Sequence, residues 1–220
     1  MDDATMYDEA KARIVALVTD GTADIYAAVD ACPGWTVKDL VAHLAGGLGD
    51  FVARRFDGVE SGEWGERNVS ERRDRSLADH LVEWEANRVA AAPLFDSPTS
   101  GVLLAEIISH EHDIRTALNR PGARDEEAVR AASVRPLQEL DRRMREAGSP
   151  ALRIVVDGSE RVVGDGEPAG TLTVSAFELL RTIGGRRSPD QVQSVDWDGD
   201  PFPWLDTFSL FGGRTSDLVE

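Results

Sequence analysis

Up to about residue 148 the apolar residues recur every three or four positions, the period of an amphipathic helix, and beyond it they alternate as in strands. Ile14, Leu17, Val18 and Ile25 predict a first helix over about 5–29, bent near Gly21. Cys32-Pro33-Gly34-Trp35 reads as a turn. Thr36, with Asp39 three residues on, has the form of an N-cap and its reciprocating acid, and opens a helix through Phe56. The stretch 57–75 is charged and contains glycine, which predicts a loop. Ser76 and Asp79 repeat the capping pattern and start a helix to about Ala91. After a break at 93–101, a helix from Val102 to Leu118 is stopped by Asn119-Arg120-Pro121-Gly122, and another runs from about Asp125 to Glu146.

Ala147-Gly148-Ser149-Pro150 marks the expected domain boundary. After it, Leu152–Val156 and Arg161–Val163 flank Asp157-Gly158, a strong hairpin signal. Thr171–Val174 forms a third short strand, and Ser175 with Glu178 caps a helix reaching Ile183. Trp197, Phe202, Trp204, Phe208 and Phe211 lie among prolines and glycines and are expected to pack back onto the body. The pattern predicts an α+β protein, with a helical bundle over 1–148 and a small α+β domain over 149–220.

Composition narrows the function classes. A formal net charge of −16 over 220 residues repels phosphate backbones and anionic lipid, so neither nucleic acid nor a membrane is expected as partner. A metal ion can still make a locally positive centre within that field. One cysteine, Cys32, forms no intrachain disulfide and suits a reducing cytoplasm. The acidic Met1-Asp2-Asp3-Ala4-Thr5 start is unlike a signal peptide, and no apolar run is long enough for a membrane span, so a cytoplasmic protein is expected.

The candidate chemistry sits on two helices. Glu106 and His110 are one turn apart on one face, the spacing by which a helix offers two ligands to one metal. His110 falls beside the stripe of Leu103, Ile107, Ile114 and Leu118, while His112 points to the opposite, solvent side. Glu111 falls in the middle of that stripe, where Arg115 at i+4 is its natural partner. His43 lies at the edge of the stripe formed by Val37, Leu40, Val41, Leu44, Leu48 and Phe51, and Gly47 one turn on leaves open space above its imidazole. Two histidines and a carboxylate leave coordination positions open, as a catalytic metal needs. On spacing alone, hydrogen-bonded packing histidines are the better reading, and His80, one turn before Trp84, is an equally plausible donor. Asp113 is placed to orient His110 from behind, with Asp39 and Asp50 as weaker candidates on the His43 side.

Other features carry less. Cys32 lacks a second cysteine, and Pro33 and Gly34 are explained by the turn. Asp196-Trp197-Asp198-Gly199-Asp200 starts like a calcium loop, but Pro201 and Thr207 occupy its required glycine and glutamate positions. The glycine-rich runs lack phosphate-loop spacing.

Two segments, 31–46 (Ala-Cys-Pro-Gly-Trp-Thr-Val-Lys-Asp-Leu-Val-Ala-His-Leu-Ala-Gly) and 106–113 (Glu-Ile-Ile-Ser-His-Glu-His-Asp), resemble the mycothiol-dependent maleylpyruvate isomerase family. Gly164-Asp165-Gly166-Glu167-Pro168 and Gly185-Arg186-Arg187-Ser188 extend the likeness into the C-terminal part. The resemblance implies a DinB-like up-and-down four-helix bundle in which His43, Glu106 and His110 hold a divalent metal, zinc first among the choices. It also implies mycothiol, a small thiol of actinobacteria, as cofactor. An open metal position would take its sulfur as thiolate, which adds to a small electrophile and gives isomerisation or S-conjugation. A hydrolase using metal-activated water and a non-catalytic metal-binding stress-response protein are the alternatives. Arg186 and Arg187 are candidates to meet a substrate carboxylate, but they follow a helix, where cations offset the dipole and reach the last carbonyls, and that is the favoured reading.

Overall fold

Several helix starts in the N-terminal part of this chain are set by side chains that satisfy the first free N–H groups. The computed structural model describes residues 1–59, 61–209 and 214–220. Asp2 accepts from Thr5 N–H at the start of α1 (Asp3–Thr19). At α2 (Val37–Ala53), Thr36 Oγ1 accepts from Asp39 N–H at 3.2 Å, and the Asp39 carboxylate accepts from Thr36 N–H at 2.9 Å. A short α3 (Glu63–Ser70) follows, and Ser76 and Asp79 repeat the reciprocal pair at α4 (Leu77–Ala90). Then come α5 (Ser100–Ala117) and α6 (Glu127–Ala147).

Two of these helices depart from the expected pattern. α1 stops at Thr19 because Asp20 accepts from both the backbone N–H and the hydroxyl of Thr22, a local bond that competes with the helix. The expected loop 57–75 contains α3, whose Asn68 and Val69 are buried. Its glycines and charges hide a helix that is held by packing on α2.

The four-helix bundle is present in the N-terminal unit and is made of α1, α2, α4 and α5. α5 packs against α1 and α2, and α2 packs against α4. Trp84 Nε1 donates to the Tyr7 hydroxyl at 2.9 Å, and Arg88 grips Asp8 at 2.6 and 2.8 Å, closing the ring between α4 and α1. The core between them holds Ile14, Leu40, Leu44, Trp84, Leu104, Ile107 and Ile108.

The C-terminal unit is built on a four-stranded sheet of order β2-β1-β3-β4. β1 (Pro150–Val156) and β2 (Ser159–Val163) form the expected hairpin; Asp157 and Gly158 both have positive φ, as a two-residue turn of the favoured hand requires. β3 (Asp165–Val174) is longer than expected and runs parallel to β1, with β2 serving as the crossover. α7 (Ala176–Ile183) is capped by Ser175, and α8 (Pro189–Gln193), β4 (Asp196–Asp198) and α9 (Leu205–Phe208) complete the unit. Trp204 and Phe208 are buried and Trp197 stacks on Trp204, whereas Phe202 is exposed and Phe211 lies outside the described residues.

The boundary at 148 is corrected. The chain divides between Gly122 and Ala123, so α6 belongs with the sheet and not with the bundle. Leu137, Leu140 and Met144 of α6 share one core with Leu152, Ile154, Val163 and Leu172. Gly148, at φ 62, caps α6 in the left-handed conformation and turns the chain directly into β1; it is helix-end chemistry and no linker. Among the described residues no helix is long and apolar enough to cross a membrane.

Candidate metal centre

α2 and α5 pack together, and each turns one edge of its apolar stripe towards the other. His43 on α2 and Glu106 and His110 on α5 meet at that seam. His43 Nε2 is 2.8 Å from Glu106 Oε1, and His110 Nε2 is 3.7 Å from the same oxygen. The three donor atoms all lie within 4.8 Å of one another. The two imidazoles stand 5.2 Å apart at 82°, so their nitrogens converge without the rings stacking.

The electrostatics call for positive charge at this point. Burial works to raise the Glu106 carboxyl, but His110 and His43 outweigh it and hold the group well below the usual carboxylate range. Burial likewise works to lower the His110 imidazole, yet Asp113, Cys32 and Glu106 carry it well above its ordinary value. A proton on the imidazole satisfies the carboxylates, and a divalent cation between the same donors would do so with more charge. The donor set, two imidazole nitrogens and one carboxylate oxygen, fits zinc or a similar ion.

The cover over His43 was not legible in the sequence. The expected open space above Gly47 is filled, because a Cβ on Gly47 would meet the Trp64 ring at 3.1 Å. Trp64 presents its edge to His43 at 5.3 Å, and Trp35 leans on it at 5.0 Å. α3 comes this close because Gly65 has no side chain; a Cβ there would lie 3.2 Å from Trp35 and 3.7 Å from His43. The sequence signal for Trp64 would have been its i+4 partner Asn68, buried on the same face of a short acidic helix. Of the three donors Glu106 is the most open, its side chain 31% exposed against 5% for His43 and 9% for His110. The cluster is therefore open to solvent chiefly on the Glu106 side.

The remaining candidates fall as follows. Asp113 is buried with Oδ2 2.9 Å from His110 Nδ1. Cys32 lies nearer this cluster than the sequence suggested, its Sγ 3.8 Å from the same Asp113 oxygen. His112 is buried and does not point to solvent, because α5 is covered on nearly all sides between Leu103 and Ile114. Glu111 is paired with Arg115, as its spacing implied, and also with Arg13 of α1. His80 is fully buried on α4, apart from this donor cluster. Asp39 caps α2, and Asp50 bonds Arg67 and Asn68. In the C-terminal unit, Arg186 donates to the Gly184 carbonyl just past α7, and Arg187 is buried between Glu178 and Glu220.

Residues 7–100 match the family model described as the mycothiol maleylpyruvate isomerase N-terminal domain. Two crystal structures share the fold: that of the mycothiol-dependent maleylpyruvate isomerase (TM-score 0.55, 12% identity, covering 84% of this chain and 88% of that one), and that of a histidine-to-alanine mutant of it (TM-score 0.56, 14% identity, 83% and 88%). No curated protein sequence gives a significant match.

Proposed function

We propose, from the match of residues 7–100 to the mycothiol maleylpyruvate isomerase N-terminal domain, that the chain is a divalent-metal-dependent thiol enzyme with mycothiol as cofactor. Its reaction is isomerisation of a small electrophile or S-transfer to it. The observation that carries the reading is the convergence of His43 Nε2, Glu106 Oε1 and His110 Nε2 from two helices.

His43, Glu106 and His110 would hold the ion, zinc by the chemistry of the donors, and when bound it would supply an open Lewis-acidic position at which a thiol ionises. Asp113 accepts from His110 Nδ1–H and so keeps the Nε2 lone pair facing the cluster. Trp35 and Trp64 hold the His43 ring and keep water from that side. Glu106, the exposed member, borders the path by which thiol and electrophile enter. The chain's strongly negative charge gives no long-range attraction to an anionic substrate, so such a substrate must find local positive charge.

The test begins with metal analysis of protein purified without chelator. About one divalent ion per chain is expected, lost in His43→Ala and His110→Ala with the helical signal retained. His112→Ala should keep the metal but lose some stability, since that ring is buried. Mycothiol titrated into the metal-loaded chain should then bind far more tightly than to the metal-free chain, with release of protons. Equal thiol affinity in the two forms overturns the thiol mechanism and makes a hydrolase using metal-activated water the better reading.

A further inference from the structure

The C-terminal unit holds a cleft of about 610 Å³ lined by Arg124, Phe177, Glu178, Arg187, Gln191 and Glu220 among others. Arg187 and Glu220 line it, and the buried Arg181 guanidinium joins Arg187 on the Glu220 carboxylate. The Arg181 side chain is 0% exposed and that of Arg187 6%. Arg181 Nε donates to Glu220 Oε2 at 3.1 Å and its Nη2 bonds Oε1, while Arg187 Nη1 donates to Oε2 at 2.7 Å. The other edge of Arg187 grips Glu178 at 2.5 and 2.9 Å. Beside this clamp Arg124 lies 4.7 Å over the Phe177 ring, and among the described residues it has no carboxylate partner.

Two fully desolvated arginines that meet one carboxylate in a cleft are the arrangement by which proteins bind a free carboxylate. Here the occupant comes from the chain itself. The segment carrying it is held independently at Leu218: Gln191 Nε2 donates to the Leu218 carbonyl at 2.9 Å, and Gln191 Oε1 accepts from Leu218 N–H at 3.1 Å. Leu218 is buried and Val219 is exposed. The Glu220 side chain can therefore leave the clamp while the segment stays docked.

We propose that this clamp is a binding site for a small carboxylate and that Glu220 is its built-in occupant. A free carboxylate displaces Glu220 and enters the cleft with its remaining atoms beside Arg124 and Phe177. As a tethered competitor, Glu220 sets the concentration at which the free ligand binds. The inference does not depend on the metal centre, and its test reads only the C-terminal unit.

The experiment uses the 220-residue chain, Glu220→Ala and Glu220→Gln, with acetate or malonate against chloride at matched ionic strength. Binding is followed by calorimetry and by the shift in unfolding temperature. Glu220→Ala should bind both carboxylates about tenfold or more tightly than the unaltered chain, with a stabilisation that chloride does not reproduce. Glu220→Gln keeps the shape but removes the charge and should fall between the two. Malonate should gain over acetate, and Arg124→Ala should remove that gain. If both Glu220 variants fold and respond to carboxylates no more than to chloride, the two arginines only anchor the segment that carries Glu220 and the proposal fails. If Glu220→Ala does not fold, Glu220→Gln alone decides, by the same comparison.

Discussion

Nδ1 of His110 lies 2.9 Å from Oδ2 of Asp113 within one turn of α5, and the same oxygen stands 3.8 Å from Sγ of Cys32. A carboxylate only accepts, so His110 Nδ1 carries a proton, and Nε2 is the nitrogen turned towards Glu106 and His43. The Asp113 side chain is fully buried, so no water competes for that bond.

Asp113→Asn should therefore weaken divalent-metal affinity by about 10- to 100-fold while leaving the helical signal intact. Cys32→Ser should leave affinity nearly unchanged, because sulfur at that distance is a weak donor and a serine hydroxyl can replace it. Competition with a chromophoric chelator measures both. An unaltered affinity in Asp113→Asn would remove that residue from the centre; lost metal in Cys32→Ser would make sulfur a ligand.

Glu111, its side chain 1% exposed, accepts from Arg13 Nε and Nη2 at 2.8 Å each and from Arg115 Nε at 3.0 Å. Glu111→Leu would leave both guanidiniums without their carboxylate at the seam of α1 and α5. A loss of about 3 kcal/mol is expected, the lower end for a broken buried pair because both arginines keep some solvent. Urea unfolding checks it. A loss below about 1 kcal/mol would mean that the arginines swing out into water.

His80 is fully buried, and among the described residues neither ring nitrogen has a hydrogen-bond partner. Burial, with the Lys38 and Arg75 charges, pushes its pKa below the ordinary 6.5, against an upward pull from Glu83. Below pH 6.5 the unfolded chain thus takes up a proton that the folded chain resists. The stability His80 contributes by remaining neutral is present above 6.5 and lost as pH falls through its folded value. Urea midpoints between pH 5 and 8 should rise with pH, with a smaller rise in His80→Leu. An identical slope in the variant would assign the dependence to other groups.

Much of this protein was legible in residues a few positions apart. The pairs Thr36/Asp39 and Ser76/Asp79 started their helices where expected, Asp157-Gly158 turned its hairpin, and Glu106 and His110 shared a face. Each is a local matter of one hydrogen bond, one dihedral pair or one helical turn, which the sequence by itself determines. What depended on a partner far along the chain was decided only by the tertiary structure. Trp64 covers His43 because Gly65 and Gly47 allow α3 and α2 to approach, and neither glycine names its neighbour. His112 is buried because other helices cover the face that periodicity assigned to solvent. α6 joins the sheet because Leu137, Leu140 and Met144 find their core there; its apolar stripe would have suited a bundle as well. The clamp on Glu220 pairs residues 33 and 39 positions apart. Burial and charge pairing are properties of the assembled core, and a stripe or a lone arginine specifies that a partner is needed without specifying which one.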